Sequence, residues 1–181
     1  MAPQSAGTAD VAILEGTGGP ETGAVNIAID LLSSGRASCM VVVLHHVREK
    51  KKKFGIDDDY QVLVERRLKL SGLTAKQYMI LVTPDVHPVT LNEATIVLQT
   101  LSNKGVKSAF LLTTGFHTRR SLLVYRHVGE PLSINILPLA YFNDFEIDSW
   151  WRREDGISEF TLELLKLLYY QVRGYIPAQL N

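Results

Sequence analysis

A single cysteine, Cys39, stands among the 181 residues of this chain. One thiol excludes an internal disulfide and any metal centre built on several thiolates. It adjoins the apolar run Met40–Leu44 and reads as buried packing rather than a reactive group. Net charge is lacking too. Nineteen basic and nineteen acidic side chains balance to zero, so the chain lacks the basic excess with which a dedicated nucleic-acid binder draws phosphates. No apolar stretch approaches the ~20 residues of a membrane span, and the start, MAPQSAGTAD, lacks the pattern of a signal peptide. The expectation is a cytoplasmic protein, or the soluble part of an envelope-associated one, with oligomeric state left open.

What remains is the composition of an ordinary globular domain, 46% hydrophobic and 21% charged. A chain of this length buries about 70% of its unfolded surface. Residues 1–8 are small and polar and are expected to be disordered; residues 9–181 are expected to form one α/β domain.

Short apolar runs alternate with helical periods along that domain. Val11–Leu14, Met40–Leu44, Tyr78–Val82, Ala109–Leu112 and Ile134–Leu139 are strand-like, the last weakened by Pro138. Ala24–Leu32, Tyr60–Leu70, Thr90–Leu101, the segment after His117 and Ser158–Arg173 are helix-like. Thr90 and Glu93 have the spacing of a capping box. Val62, Leu63, Leu68 and Leu70 are available for the buried face of the second helix, and Leu162, Leu165, Leu168 and Tyr169 for that of the last. Strands alternating with helices over short loops give a mostly parallel sheet of about five strands with helices on both faces.

In such a sheet ligands bind beyond the carboxyl ends of the strands. Those ends hold Glu15 with Gly16, Gly18 and Gly19; His45 and His46; Asp85 and His87; Thr113, Thr114 and His117; and Asn143 with Asp144. Four of the five histidines fall on this edge; only His127 does not. The segment KSAFLLTTGFHTRRSLLVYR (107–126) concentrates it. A strand, a polar turn and a helix bring His117, Arg119 and Arg120 to a helix start, where backbone N–H groups favour an anion. The same helix start biases His117 toward neutral imidazole, suited to general-base work. Adjacent helix residues diverge by about 100°, so only one of the two arginines can face a ligand. Trp150-Trp151 reads as a packed corner more than a stacking platform, with Glu154 just beyond it. His117 and Asp85 are the candidate catalytic groups. Glu15, Gly16, Gly18, Gly19, Thr113, Thr114, Arg119, Arg120 and Glu154 are the candidate ligand-binding residues, and no metal is expected.

The loop LEGTGGPETG lets a ligand approach the backbone before a helix. It is neither a Gly-Lys-Ser/Thr phosphate loop nor a full G-x-G-x-x-G; Glu15 with G-T-G-G loosely resembles the first motif of S-adenosylmethionine-dependent methyltransferases. The segments T-L-N-E-A (90–94), L-L-T-T-G-F-H-T-R-R-S (111–121) and W-W-R-R-E (150–154), followed by EFTLELLKLLYYQVRGY, together resemble the SanA/ElyC/YdcF-like bacterial family, catalogued mainly as a domain of unknown function. The resemblance covers the chain from about Thr90 onward. It implies a single three-layer, Rossmann-like α/β domain and a pocket using Thr90, Thr113, Thr114, His117, Arg120 and Glu154. For one branch it implies S-adenosylmethionine as ligand, and for others a part in envelope integrity and peptidoglycan or lipid-carrier metabolism. The chain departs from the family in carrying His45-His46 for Gly-Gly and Asn92-Glu93 for Glu-Asn, and in lacking an arginine in AVNIAIDLL.

Three functions compete at this stage. One is the binding of an anionic or nucleotide-like small molecule over Gly16–Gly19 and the 113–120 turn. Another is metal-dependent hydrolysis by some of Glu15, His45, His46, Asp85, His87 and His117. The third is a non-catalytic envelope-associated factor that docks through the charged 48–59 loop.

Overall fold

The chain alternates β-branched and aliphatic runs with amphipathic segments, and each run becomes a parallel strand. In the computed structural model, residues 5–16, 21–45, 60–142 and 148–177 are described. The elements are β1 (Val11–Leu14), α1 (Thr22–Ser33), β2 (Cys39–His45), α2 (Tyr60–Leu70), β3 (Tyr78–Thr83), α3 (Val89–Asn103), β4 (Ser108–Thr114), α4 (His117–Gly129), β5 (Asn135–Tyr141) and α5 (Glu154–Val172). A single 3₁₀ turn, Trp150–Arg152, leads into α5. The five strands pair in the order β3-β2-β1-β4-β5, all parallel.

Alternation along each strand divides the core into two layers. Val11, Ile13, Val41, Val43, Ala109 and Leu111 face α3, α4 and the end of α5. Ala12, Leu14, Met40, Val42, Phe110 and Leu112 face α1 and α2. Both faces of the central strands are apolar because both are covered. This is the expected three-layer, Rossmann-like α/β architecture. Pro138 is tolerated because β5 is an edge strand, where the missing N–H points away from β4. Its carbonyl, pointing the same way, accepts a hydrogen bond from the Ser5 amide at 3.1 Å. Arg36 donates to the Gly7 and Ser5 carbonyls, so part of the segment expected to be disordered is held on the domain.

Two packing faces differ from those expected. On α2, Val64 and Leu68 are buried, while Val62, Leu63 and Leu70 are exposed. On α5, the buried residues are Gly156, Glu163, Leu167 and Tyr170, whereas Leu162, Leu165, Leu168 and Tyr169 are each about half exposed or more. That helix carries two apolar stripes, and the one that packs includes a carboxylate. The capping box does not form either. Pro88 is the N-cap of α3, and Thr90 and Glu93 are drawn into the protein by other partners. Cys39 is half-buried, and burial raises its thiol pKa.

The two faces of α2 can be separated by substitution. Leu68→Ala should cost about 2–5 kcal/mol of unfolding free energy, and Leu63→Gln about 0.5 kcal/mol or less, both measured by urea denaturation. Equal losses would contradict this packing.

Candidate functional site

The strand order reverses direction at β1, leaving a crevice beyond the carboxyl ends of β1 and β4 where parallel sheets of this kind bind ligands. Glu15 follows β1 directly, and Gly115–Phe116 turns the chain from β4 into α4, whose first residue is His117. Gly115 has φ +39°, and its amide is bound by the Tyr141 carbonyl at 2.8 Å. The Thr118 hydroxyl donates to the Gly115 carbonyl at 2.8 Å. Phe116 packs edge-on against Phe142, Trp150 and Phe160. The turn is therefore fixed from both sides, and Trp150 belongs to the packed corner.

His117 lies between two carboxylates. Its Nε2 is 3.0 Å from Glu15 Oε1, and its Nδ1 is 3.1 Å from Glu163 Oε2. Ser121, one turn further along α4, donates to Glu15 Oε1 at 2.7 Å and lies 2.9 Å from His117 Nε2. Arg120 Nε donates to Glu163 Oε2 at 2.9 Å, its Nη1 to Thr90 Oγ1 at 2.8 Å, and its guanidinium lies over the Tyr170 ring at 5.0 Å. Lys166 also reaches Glu163, at 2.8 Å. Thus β1, α3, α4 and α5 meet in one ionic cluster.

A second cluster adjoins it. His45 Nε2 is 2.6 Å from Glu93 Oε2, and the Tyr125 hydroxyl donates to Glu93 Oε1 at 2.7 Å. Gly16 passes between them so closely that an added Cβ would meet the Val43 carbonyl oxygen at 2.9 Å and Glu93 Oε2 at 3.3 Å. Glycine is needed here for that close approach.

These contacts set the charges. Burial, the largest influence, opposes charge on His117, but the Glu15 and Glu163 carboxylates outweigh it and raise the pKa to about 9. His117 is therefore an imidazolium at neutral pH, not the neutral base expected of a histidine at a helix start. The two carboxylates overcome the helix dipole. Arg120 Nη2 lies 2.6 Å from His117 Nδ1. A hydrogen bond there requires Nδ1 to accept, so it belongs to the deprotonated ring, in which Nε2–H still donates to Glu15. Burial pushes the Glu15 and Glu163 pKa values up, yet His117, with Ser121 and Arg120, holds both below the usual carboxylate range. Glu93 moves the other way. Burial raises it, aided by the charge of Glu15. The hydrogen bond that His45 donates to Glu93 raises the histidine's pKa against the effect of burial, with the charges of Glu93 and Asp85 contributing.

Ser121, His117 and Glu163 have the spacing of a Ser-His-carboxylate triad. Ser121 is fully buried, however, and gives its proton to Glu15. It clamps that carboxylate and is not placed as a nucleophile.

A cavity of about 570 Å³ opens over both clusters, lined by Glu15, Gly16, His45, Thr90, Glu93, His117 and Arg120 from the sheet edge and by Lys166, Tyr169, Tyr170 and Tyr175 opposite. Among the described residues, Glu15 Oε2 is buried with no hydrogen-bond partner, and the same holds for Thr113 Oγ1, one register step beyond the Leu14–Leu112 pair. Of the candidates from sequence, Glu15, Gly16, Thr90, His117 and Arg120 converge here, with His45 and His87 on the same wall. Thr113 is buried behind Glu15. Thr114 and Asp85 are half-buried at the same edge but not among the lining residues. Arg119 is exposed, as the divergence of neighbouring helix residues requires. It borders a smaller pocket, of about 170 Å³, with Phe116 and Phe160. Glu154 is exposed at the start of α5, away from the cavity. Gly18, Gly19, His46, Asn143, Asp144 and the whole 48–59 loop lie outside the described residues. Among the described residues no group of three or more His, Cys, Asp or Glu side chains is placed to hold a metal ion, and no helix is long and apolar enough to cross a membrane.

Sequence reading missed Glu163, Tyr125 and Ser121, and took Glu93 for a cap. Their signal was periodic. Ser121 and Tyr125 follow His117 at four-residue steps, and Glu163 shares a stripe with Leu167 and Tyr170. A carboxylate on a buried stripe needs a buried partner.

Fold and site together define an α/β protein with a charged cavity at the switch point of a parallel sheet. No protein-family model matches the chain, and a search of curated proteins finds no match.

The charges fix a pH dependence. His117 has a folded pKa raised above its reference value of 6.5, so its stabilisation is complete below about pH 6.5 and is lost as pH rises through about 9. Glu15 and Glu163 have lowered pKa values, from a reference of 4.5, so their contribution is complete above that value and is lost as pH falls. Urea denaturation should give greatest stability at about pH 5–6.5 and a decline toward pH 9.5. His117→Gln should flatten that decline, leaving the smaller part due to His45; an unchanged slope would contradict the assignment. Glu163→Ala should cost about 3–5 kcal/mol by leaving Arg120 buried without its carboxylate. Lys166→Ala, at the exposed end of the same cluster, should cost about 1 kcal/mol or less.

Proposed function

We propose that this protein binds a nucleotide-like small molecule in the cavity at the carboxyl ends of β1 and β4. The observation that carries this reading is Glu15. It is a buried, ionised carboxylate with one oxygen held by His117 and Ser121 and the other, Oε2, left without a partner on a cavity wall. A buried carboxylate oxygen without a donor is costly, and a ligand hydroxyl or amino group would satisfy it. A ribose offers such hydroxyls. Tyr169 and Tyr175 give the opposite wall aromatic faces suited to a base, and Lys166, half-exposed at the rim, supplies the cation for an anionic or carboxylate end.

S-adenosylmethionine combines ribose hydroxyls, an aromatic base and a carboxylate. It is also the ligand implied by resemblance to the SanA/ElyC/YdcF-like family, and it is the first candidate. The same resemblance places the biological role in bacterial envelope or peptidoglycan metabolism. The competing metal-dependent hydrolysis gains no support from the geometry, since both nitrogens of His117 and Nε2 of His45 already face carboxylates.

Thermal denaturation with S-adenosylmethionine, adenosine, nucleoside monophosphates and sugar phosphates tests the reading. At least one nucleoside-bearing compound should raise Tm by several degrees, as saturation at about 100 times Kd brings about 2.7 kcal/mol. Glu15→Gln should abolish the shift, because the amide presents N–H groups where the acceptor was. No shift with any compound, or a shift equal in Glu15→Gln, would overturn it.

A further inference from the structure

The buried stripe of α5 leaves the opposite side of the helix apolar and exposed. Ile157, Leu164, Leu165, Leu168 and Val172 fall within an arc of about 100° at 3.6 residues per turn, and they are 47%, 44%, 58%, 49% and 86% exposed. Tyr169, on the same side, is 53% exposed. With the flanking Leu162, the face leaves on the order of 800 Å² accessible, more than a monomer ordinarily shows in one patch and about what each partner contributes to a standard interface.

We propose that this face joins α5 to α5 of a second copy of the chain, antiparallel across a two-fold axis. The charge pattern selects that occupant. Helix α5 carries four carboxylates and a single lysine, the reverse of the Lys/Arg-rich polar face with which a helix lies on an anionic membrane. Asp155 is paired with Arg153 within its own chain, which leaves Glu154 as the exposed carboxylate of the first turn, and exposed Arg173 follows the last turn. Antiparallel pairing brings Glu154 of one copy near Arg173 of the other and opposes the two helix dipoles. Leu164 and Leu165 lie midway between Ile157 and Val172, so the axis falls beside them and the apolar stripe meets itself, as a two-fold interface requires. Tyr169 both lines the cavity and stands on this face, so the second copy would border the cavity mouth. The pairing does not depend on what the cavity binds.

Sedimentation velocity of the whole chain tests it. The expected result is a dimer at micromolar concentration, with self-association weakened about 30-fold or more by Leu165→Glu with Leu168→Glu and an unchanged far-UV circular dichroism spectrum. Should that variant fail to fold, charge reversal decides the matter. Glu154→Arg and Arg173→Glu should each weaken the dimer, and the two together should restore it. A monomeric wild-type chain, a dimer indifferent to the leucine substitutions, no restoration by the double reversal, or binding of the wild-type monomer to anionic vesicles would overturn the proposal.

Discussion

The hydrogen bond between Glu15 and His117 joins the end of the first strand to the start of the fourth helix, and the rest of this sheet edge is arranged around it. Neither group is tolerable there alone. An ionised carboxylate or imidazolium taken from water costs several kcal/mol unless its partners are well placed. Ser121 completes one oxygen of Glu15, Glu163 holds the far nitrogen of His117, and Arg120 and Lys166 in turn neutralise Glu163. The last helix is thereby tied to the sheet through an ionic contact as well as through Leu167 and Tyr170. One oxygen, Glu15 Oε2, is left over. Among the described residues, the cluster pairs the charges of His117, Arg120, Glu163 and Lys166 and leaves that one oxygen open.

The second cluster is subordinate to the first. Glu93 has its pKa raised by burial and by the charge of Glu15 nearby, and His45 and Tyr125 each hydrogen-bond one of its oxygens. Protonating Glu15 removes a negative charge that both Glu93 and His45 feel. Titration of Glu15 is thus electrostatically linked to that of His45 and Glu93, with Gly16 holding the two sets of side chains close together.

Most of the architecture was legible in the residues. Five short apolar runs separated by helical periods admit few arrangements other than a covered parallel sheet. The carboxyl-edge rule brought Glu15, Gly16 and His117 to one place, the helix start added Arg120, and Thr90 came only from the family resemblance. The errors have a common physical source. On α5, Leu162, Leu165 and Leu168 make a more apolar stripe than Glu163, Leu167 and Tyr170, and hydrophobic strength alone selects the wrong face. The folded protein buries the stripe with the carboxylate because Arg120 and His117 await it, a pairing between residues more than forty positions apart that no local window contains. Glu93 followed the same logic, since its cap-like spacing from Thr90 was weaker than the demand of Tyr125 and His45. His117 was placed correctly but its charge was not, because the helix start is visible in sequence and the two flanking carboxylates are not.

The account rests on a charged, doubly clamped His117. Nuclear magnetic resonance of the ¹⁵N-labelled imidazole rings across pH 5–11 measures this directly, with His117→Gln identifying its signals. A ring that remains an imidazolium through neutral pH and titrates near 9 is the predicted result. A midpoint at or below the reference value of 6.5 would contradict it, and with it the ionised Glu15 on which the proposed ligand binding depends.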